Sequence, residues 1–198
     1  MNLDTNYALF ANNEDVTFVK DTFVNGMIVK AKPSDAFVEF ISNAIEMSGV
    51  DTINLKTMHQ TVLFAKNQYS PELIEFVEKM APYAKYAIMS PYINIFNNPE
   101  GETILSVGYL CPALQVLNLQ LQKDFGVKHS FPELKLHMTL NYNYDESKGN
   151  RKARLDSLVR LIQNTPSWKA PDFYLHKLTV APIKKDYDDK LSTVFLEV

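Results

Sequence analysis

Two short stretches, MHQTV at 58–62 and LHMTL at 136–140, share one frame: an apolar residue, His, any residue, Thr, an apolar residue. The chain has only four histidines, so two in one frame constrain its fold more than any other feature. His59 and His137 lie 78 residues apart, and so do Thr61 and Thr139. The surroundings repeat as well. FVNGMIVKA reads as a strand, DAFVEFISNAIEM as a helix with Phe37, Phe40, Ile41, Ala44 and Ile45 on one stripe, and MHQTVLF as a strand. Seventy-eight residues on, ILSVGYL at 104–110 lands on 26–32, and Val116 and Leu119 land on Val38 and Ile41. LHMTL then takes the place of MHQTV. Identity between the halves is slight, so element order and offset carry the repeat.

Punctuation between these segments supports the same reading. Pro33-Ser34-Asp35 opens the first helix with Ser or Asp as N-cap, and Ser48-Gly49 ends it. Ser70-Pro71-Glu72 opens a second helix through Met80. Strands are expected over 86–96 and 102–110, joined by the hairpin turn NNPEG. Helices are expected over 112–125 and 152–163, and strands over 134–142, 173–183 and 192–198. The expected fold is α+β: two pseudo-symmetric antiparallel sheets forming a central groove, with helices outside, in one bilobal domain over 1–198. Residues 1–22 read as a flexible N-terminal extension.

Side chains alternate along a strand, so His59, Thr61 and Leu63 should share one face. His137, Thr139 and Asn141 should share the corresponding face of the second strand, with Tyr142 opposite. A twofold relation would then bring both His/Thr faces across one groove. Two opposed imidazoles suit phosphodiester chemistry, because one can accept a proton while the other donates one near neutral pH. Threonine hydroxyls can donate to the phosphate oxygens where charge builds. A metal site would want further ligands. Neither frame has Asp, Glu or Cys immediately beside its His, so no metal and no cofactor is expected.

Composition narrows the substrate. The net charge is −3, whereas a protein that holds long nucleic acid by its phosphates is usually strongly basic. A small nucleotide is therefore expected, not a duplex. The single cysteine, Cys111, allows no internal disulfide and reads as a packed, inert thiol. No apolar run approaches a membrane span, and the N-terminus lacks a secretion signal, so a cytoplasmic location is expected. Arg151, Arg154 and Arg160, with Lys148 and Lys152, read as a solvated helix face.

The paired motifs and their spacing resemble the 2H phosphoesterase superfamily, named for two His-x-Thr/Ser motifs. Its members include LigT-type RNA 2′,3′-cyclic phosphodiesterases. The resemblance spans about residues 23–198. It implies that His59 and His137 are acid and base and that Thr61 and Thr139 hold the phosphate, without a metal. FVNGMIVKA, the His-x-Thr-Val strand running into AKNQYS, and LHMTLNY are most similar to phage anti-CBASS phosphodiesterases. That likeness implies cleavage of 3′–5′ linkages in cyclic di- or trinucleotide signals, in the host cytoplasm if the chain is viral. The alternatives are a LigT-type reaction on an RNA-derived 2′,3′-cyclic phosphate and a protein that sequesters a nucleotide without cutting it.

Around the four motif residues, nucleotide-binding candidates are Tyr7, Lys66, Tyr69, Asn141, Arg151 and Trp168. The aromatic ones could stack on a base, and Lys66 and Arg151 lie just beyond the motif strands. Tyr144 is a further aromatic there. His129 and His176 lack a Thr partner and read as structural or surface residues.

Overall fold

A computed structural model describes residues 23–53, 55–98, 101–164 and 172–183. Seven strands and four longer helices are seen among them. Their order is β1 (Gly26–Pro33), α1 (Asp35–Ser48), β2 (Gln60–Lys66), α2 (Pro71–Met80), β3 (Tyr86–Ala87), β4 (Met89–Asn97), β5 (Thr103–Leu110), α3 (Pro112–Phe125), β6 (His137–Asn141), α4 (Arg151–Gln163) and β7 (Tyr174–Pro182). They form a four-stranded sheet ordered β2-β1-β7-β3 and a three-stranded sheet ordered β4-β5-β6. Every pairing is antiparallel. The α+β, two-sheet architecture is therefore the one expected. The 192–198 strand and the 1–22 extension lie outside the described residues. No helix among the described residues is long and apolar enough to cross a membrane.

The helix punctuation works as read, with one change. Gly49 and Gly126 both end their helices in the left-handed conformation, at φ 70° and 64°. The Ser70 hydroxyl caps α2 by accepting from the Leu73 N–H at 3.2 Å. Ser34 occupies the N-cap of α1, but its hydroxyl donates to the Asp172 carbonyl at 2.6 Å. It thereby ties the helix start to the approach of β7.

One expected strand is two. Tyr86–Ala87 pairs with β7 in the first sheet, and Met89–Asn97 pairs with β5 in the second. Ile88 is buried at the crossing and Ser90 comes just after it at φ 48°. An apolar run does not announce that its ladder partner changes midway.

The repeat is present in element order, but its offset is not constant. In the ladders Lys30 pairs with Thr61 and Ser106 with Thr139, so β1 and β5 correspond at 76 residues. The helix caps Gly49 and Gly126, and the buried residues Phe37 with Leu114 and Ala44 with Leu121, correspond at 77. The His-x-Thr residues correspond at 78. Each connection in the second half is one residue longer. Val116 and Leu119 consequently face solvent, at 62% and 65% exposure, and not the core. Helix α3 carries apolar residues on more than one face, so its pattern alone did not choose the buried one.

Candidate active site

The two motif strands carry the same irregularity. Val29 pairs with Leu63 and Lys30 with Thr61, which leaves Val62 as an extra residue. Leu105 pairs with Asn141 and Ser106 with Thr139, which leaves Leu140 extra. Each strand thus bulges on the residue after its Thr. A bulge puts two residues against one and re-aims the side chains beyond it. Leu63, expected beside Thr61, is fully buried in the main core. Phe64 takes its place on the groove side. In the second strand Tyr142, expected opposite His137, lines the groove, and its phenol meets the Thr139 hydroxyl. Phe64 and Tyr142 are again 78 apart. Asn141 is turned to the loop after α1, where its amide donates to the Asp51 carbonyl at 2.7 Å.

A bulge leaves a carbonyl out of the ladder, and a buried carbonyl needs a donor. Each half supplies the other's. The Val62 carbonyl accepts from the Asn118 amide on α3 at 2.7 Å. The Leu140 carbonyl accepts from the Ile53 N–H, in the loop before β2, at 2.8 Å.

His59, Thr61, His137 and Thr139 all line one cavity of about 440 Å³, a volume within the range of small-molecule sites. The imidazoles are held alike. His59 Nδ1 lies 2.9 Å from the Thr57 carbonyl, and His137 Nδ1 lies 3.0 Å from the Lys135 carbonyl. A carbonyl can only accept, so both Nδ1 atoms carry hydrogen. Nε2 is then the nitrogen that exchanges protons.

Gln60, the residue between His59 and Thr61, joins the halves. It is fully buried. Its Oε1 accepts from the Tyr109 hydroxyl at 2.5 Å and from the His137 N–H at 2.8 Å. Its Nε2 donates to the carbonyls of Thr61 at 2.5 Å and Lys135 at 3.2 Å. One amide side chain therefore touches both motif strands and sets the distance between their histidines. Its counterpart in the second motif is Met138, which sits in the core.

Electrostatics break the symmetry. Burial pushes the His59 imidazole down to about 4, against the pull of the Thr57 carbonyl, with the charges of Lys30, His137 and Lys32 adding to the shift. His137 is lowered by burial and by Lys135, again against its backbone bond. Lys30, opposite Thr61 in the ladder, is itself held down to about 8 by burial and by Lys32. Its counterpart Ser106 is uncharged. The groove also holds Phe96, whose ring meets His137 edge-on at 5.0 Å and carries the Lys135 ammonium at 5.1 Å.

Of the remaining sequence candidates among the described residues, Tyr69, Lys66, Arg151 and Tyr144 are not in the lining of this cavity. Tyr69 packs on Phe23, with ring centroids 5.8 Å apart. The Lys66 N–H donates to the Ser130 hydroxyl at 2.8 Å, beyond the groove. Arg151 pairs with Asp51 at 3.3 Å, and Arg154 lies 3.9 Å from the same carboxylate, so the basic helix face is partly engaged. Tyr144 is buried and its hydroxyl donates to the Arg151 carbonyl at 3.2 Å. Tyr7 and Trp168 lie outside the described residues. Cys111 is buried, and burial raises its thiol despite the helix start beside it. His176 meets Tyr174 edge-on at 5.4 Å and stays outside the groove lining. His129, read as structural or surface, does hold the Phe64 N–H through Nδ1 at 3.1 Å, and it also lines the cavity. Sequence reading passed over Gln60, Phe96 and Lys135, and alternation set Tyr142, an aromatic candidate at the end of the second motif strand, on the opposite face. A signal existed for Gln60, as a large amide at an inward strand position. None existed for Lys135, whose backbone carbonyl any residue would supply.

The family described as anti-CBASS protein Acb1 matches residues 25–165. Two solved structures of Usb1 from Kluyveromyces marxianus are also similar. One is 13% identical, with 79% of this chain and 97% of that one covered and a TM-score of 0.38. The other, with uridine monophosphate, is 15% identical, with 81% and 99% covered and a TM-score of 0.37. No curated protein matches the chain.

Proposed function

The chain belongs to the anti-CBASS protein Acb1 family, and from that premise we propose that it is a phosphodiesterase cutting 3′–5′ linkages of cyclic di- and trinucleotide signals. The observation that carries this reading is the matched pair of His/Thr sets in one cavity, each imidazole anchored through Nδ1 to the carbonyl two residues before it. A phage origin and action in the host cytoplasm are suggested by the family's name and belong to the same proposal.

In the proposed reaction one Nε2 takes the proton of the ribose 2′-hydroxyl. The 2′-oxygen attacks the neighbouring phosphorus, and the bond from phosphorus to the 5′-oxygen breaks. The other imidazolium gives that oxygen its proton. The product is a 2′,3′-cyclic phosphate, which water opens with the two roles exchanged. Thr61 and Thr139 donate to the non-bridging oxygens as charge builds there. Both proton transfers come from imidazoles, so the scheme uses no metal. His59 is held down to about 4, chiefly by burial with the charges of Lys30, His137 and Lys32 adding, while His137 is lowered by burial and Lys135 without so large a shift. We therefore assign the base of the first step to His59 and the acid to His137. Substrate phosphate restores the imidazolium of the acid by its negative charge.

The test is turnover of cyclic dinucleotides, cyclic trinucleotides and 2′,3′-cyclic mononucleotides in the presence of EDTA. Cleavage of the cyclic oligonucleotides is expected, falling on the order of 10²–10⁴-fold in His59→Ala and in His137→Ala. Binding without cleavage would make the protein a nucleotide sponge. Activity lost to EDTA and restored by zinc would sink the two-histidine scheme.

A further inference from the structure

A third histidine faces the same groove with its ring held the other way round. The Phe64 N–H donates to His129 Nδ1 at 3.1 Å. That nitrogen must therefore be unprotonated, and the neutral ring carries its hydrogen on Nε2. Among the described residues no group accepts from this Nε2–H, and no buried side-chain nitrogen or oxygen lacks a partner. The bond is consequently at an accessible edge of a ring that lines the groove. Burial lowers the imidazole further from protonation. His129 is thus a fixed neutral donor. It cannot serve as a base through Nε2, which already carries a proton, and protonating Nδ1 would break its bond to β2.

Its position is held from several sides. The His129 N–H donates to Gln122 Oε1 at 2.9 Å, and Gln122 Nε2 donates to Asn118 Oδ1 at 2.8 Å. Asn118 is the residue that catches the Val62 bulge carbonyl. The same bulge turns Phe64 to the groove. There Phe131 stacks on Phe64 at 5.2 Å and 26°, and His129 meets Phe131 edge-on at 5.6 Å. Ile28 completes this apolar end of the cavity. Lys135, the lysine in the cavity lining, lies by contrast at the His137 end.

We propose that His129, with Phe64, Phe131 and Ile28, forms a nucleobase subsite in which the Nε2–H reads an acceptor on the base edge. An aromatic, apolar wall with one directional neutral donor suits a flat base with a ring nitrogen or carbonyl at its edge. A phosphate would be better served at the cationic end. The inference rests on the nucleotide reading of the groove and adds where the base is read.

His129→Asn is the informative variant, because its Oδ1 can still accept from the Phe64 N–H while the Nε2–H donor is gone. The expected result on adenine, guanine, uracil and 7-deazapurine cyclic dinucleotides is a loss of base preference, with the ratio of best to worst kcat/KM falling about tenfold. The change should appear in KM, with kcat and both limbs of the pH profile nearly unmoved. An unchanged base preference, with the wild type cleaving normally, overturns this inference alone. Wild-type binding without cleavage, with preference lost in the variant by calorimetry, supports it while sinking the hydrolase reading. No nucleotide binding at all overturns both. Imidazole ¹⁵N spectra of His137→Ala give a check that leaves His129 intact. His129 should be the Nε2–H tautomer at neutral pH, with Nε2 shifting when nucleotide binds. An Nδ1–H tautomer, or a ring indifferent to saturating nucleotide, overturns the subsite.

Discussion

At the scale of the residue, the site depends on a few side chains whose neighbours set their protonation and spacing. Lys30 and Gln60 are the most exposed to test. Replacing Lys30 by Met removes a charge that disfavours the His59 imidazolium, so the His59 pKa should rise. If His59 is the base, the acid limb of kcat/KM moves to higher pH, by up to about one unit. Movement of the alkaline limb instead would make His59 the acid. Gln60→Met installs the residue that the second motif uses at this position. It leaves the Tyr109 hydroxyl and the His137 N–H without their acceptor. A loss of about 2–6 kcal/mol in denaturant unfolding is expected, since each of the two orphaned buried groups costs about 1–3 kcal/mol. The kcat should fall more than KM rises, because the spacing of the histidines is what changes. His59, Thr61, His137 and Thr139 were legible because residue type and spacing repeat. The bond from each Nδ1 to a backbone carbonyl was not, because no side chain announces it.

At the scale of the element, the motif strands are ordinary antiparallel strands with one extra residue each. Alternation read correctly up to each Thr and failed just after it, at Leu63, Asn141 and Tyr142. Bulges have no composition of their own when the bulged residues are Val and Leu. The helix offset misled for a related reason: α3 is apolar on two sides, and Val116 and Leu119 took the solvent side. The Val62 carbonyl tests the first bulge directly. In Asn118→Leu the side chain keeps its approximate size but loses the donor. Unfolding free energy should drop by about 1–3 kcal/mol. The chain connecting Asn118 through Gln122 to His129 should also loosen, visible as faster amide exchange at His129. A stability unchanged within error would mean the bulge carbonyl needs no such partner. Gly108 adds a fixed constraint in β5, beside His137. A Cβ there would collide with the Tyr92 ring, so even alanine must push that ring or the strand aside.

At the scale of the whole molecule, the three histidines lining the groove are kept neutral inside a chain of net charge −3. His59, His129 and His137 are all lowered chiefly by burial. The unfolded chain therefore takes up protons first as the pH falls below the ordinary histidine value of 6.5. Stability that is fully present above 6.5 should be lost progressively down to about 4, where His59 finally titrates in the folded state. Denaturation midpoints across that window give the slope, and His59→Asn should flatten it. An equal slope in the variant would show that His59 is not held neutral by the fold. The two-sheet plan could be read from the sequence because repeated elements imply repeated architecture. The change of sheet partner at Ile88 could not, because it depends on contacts far along the chain.

The reciprocal capture of the bulge carbonyls bears on ancestry. Two equal copies of one half would be the natural starting point for such a repeat. Yet a second copy of the first half would bring Ile41, not Asn118, to the Val62 carbonyl, since the helices correspond at 77 residues. It would also put Gln60 where Met138 packs into the core. The halves have become lock and key to one another, and neither could now be exchanged for a duplicate of its twin.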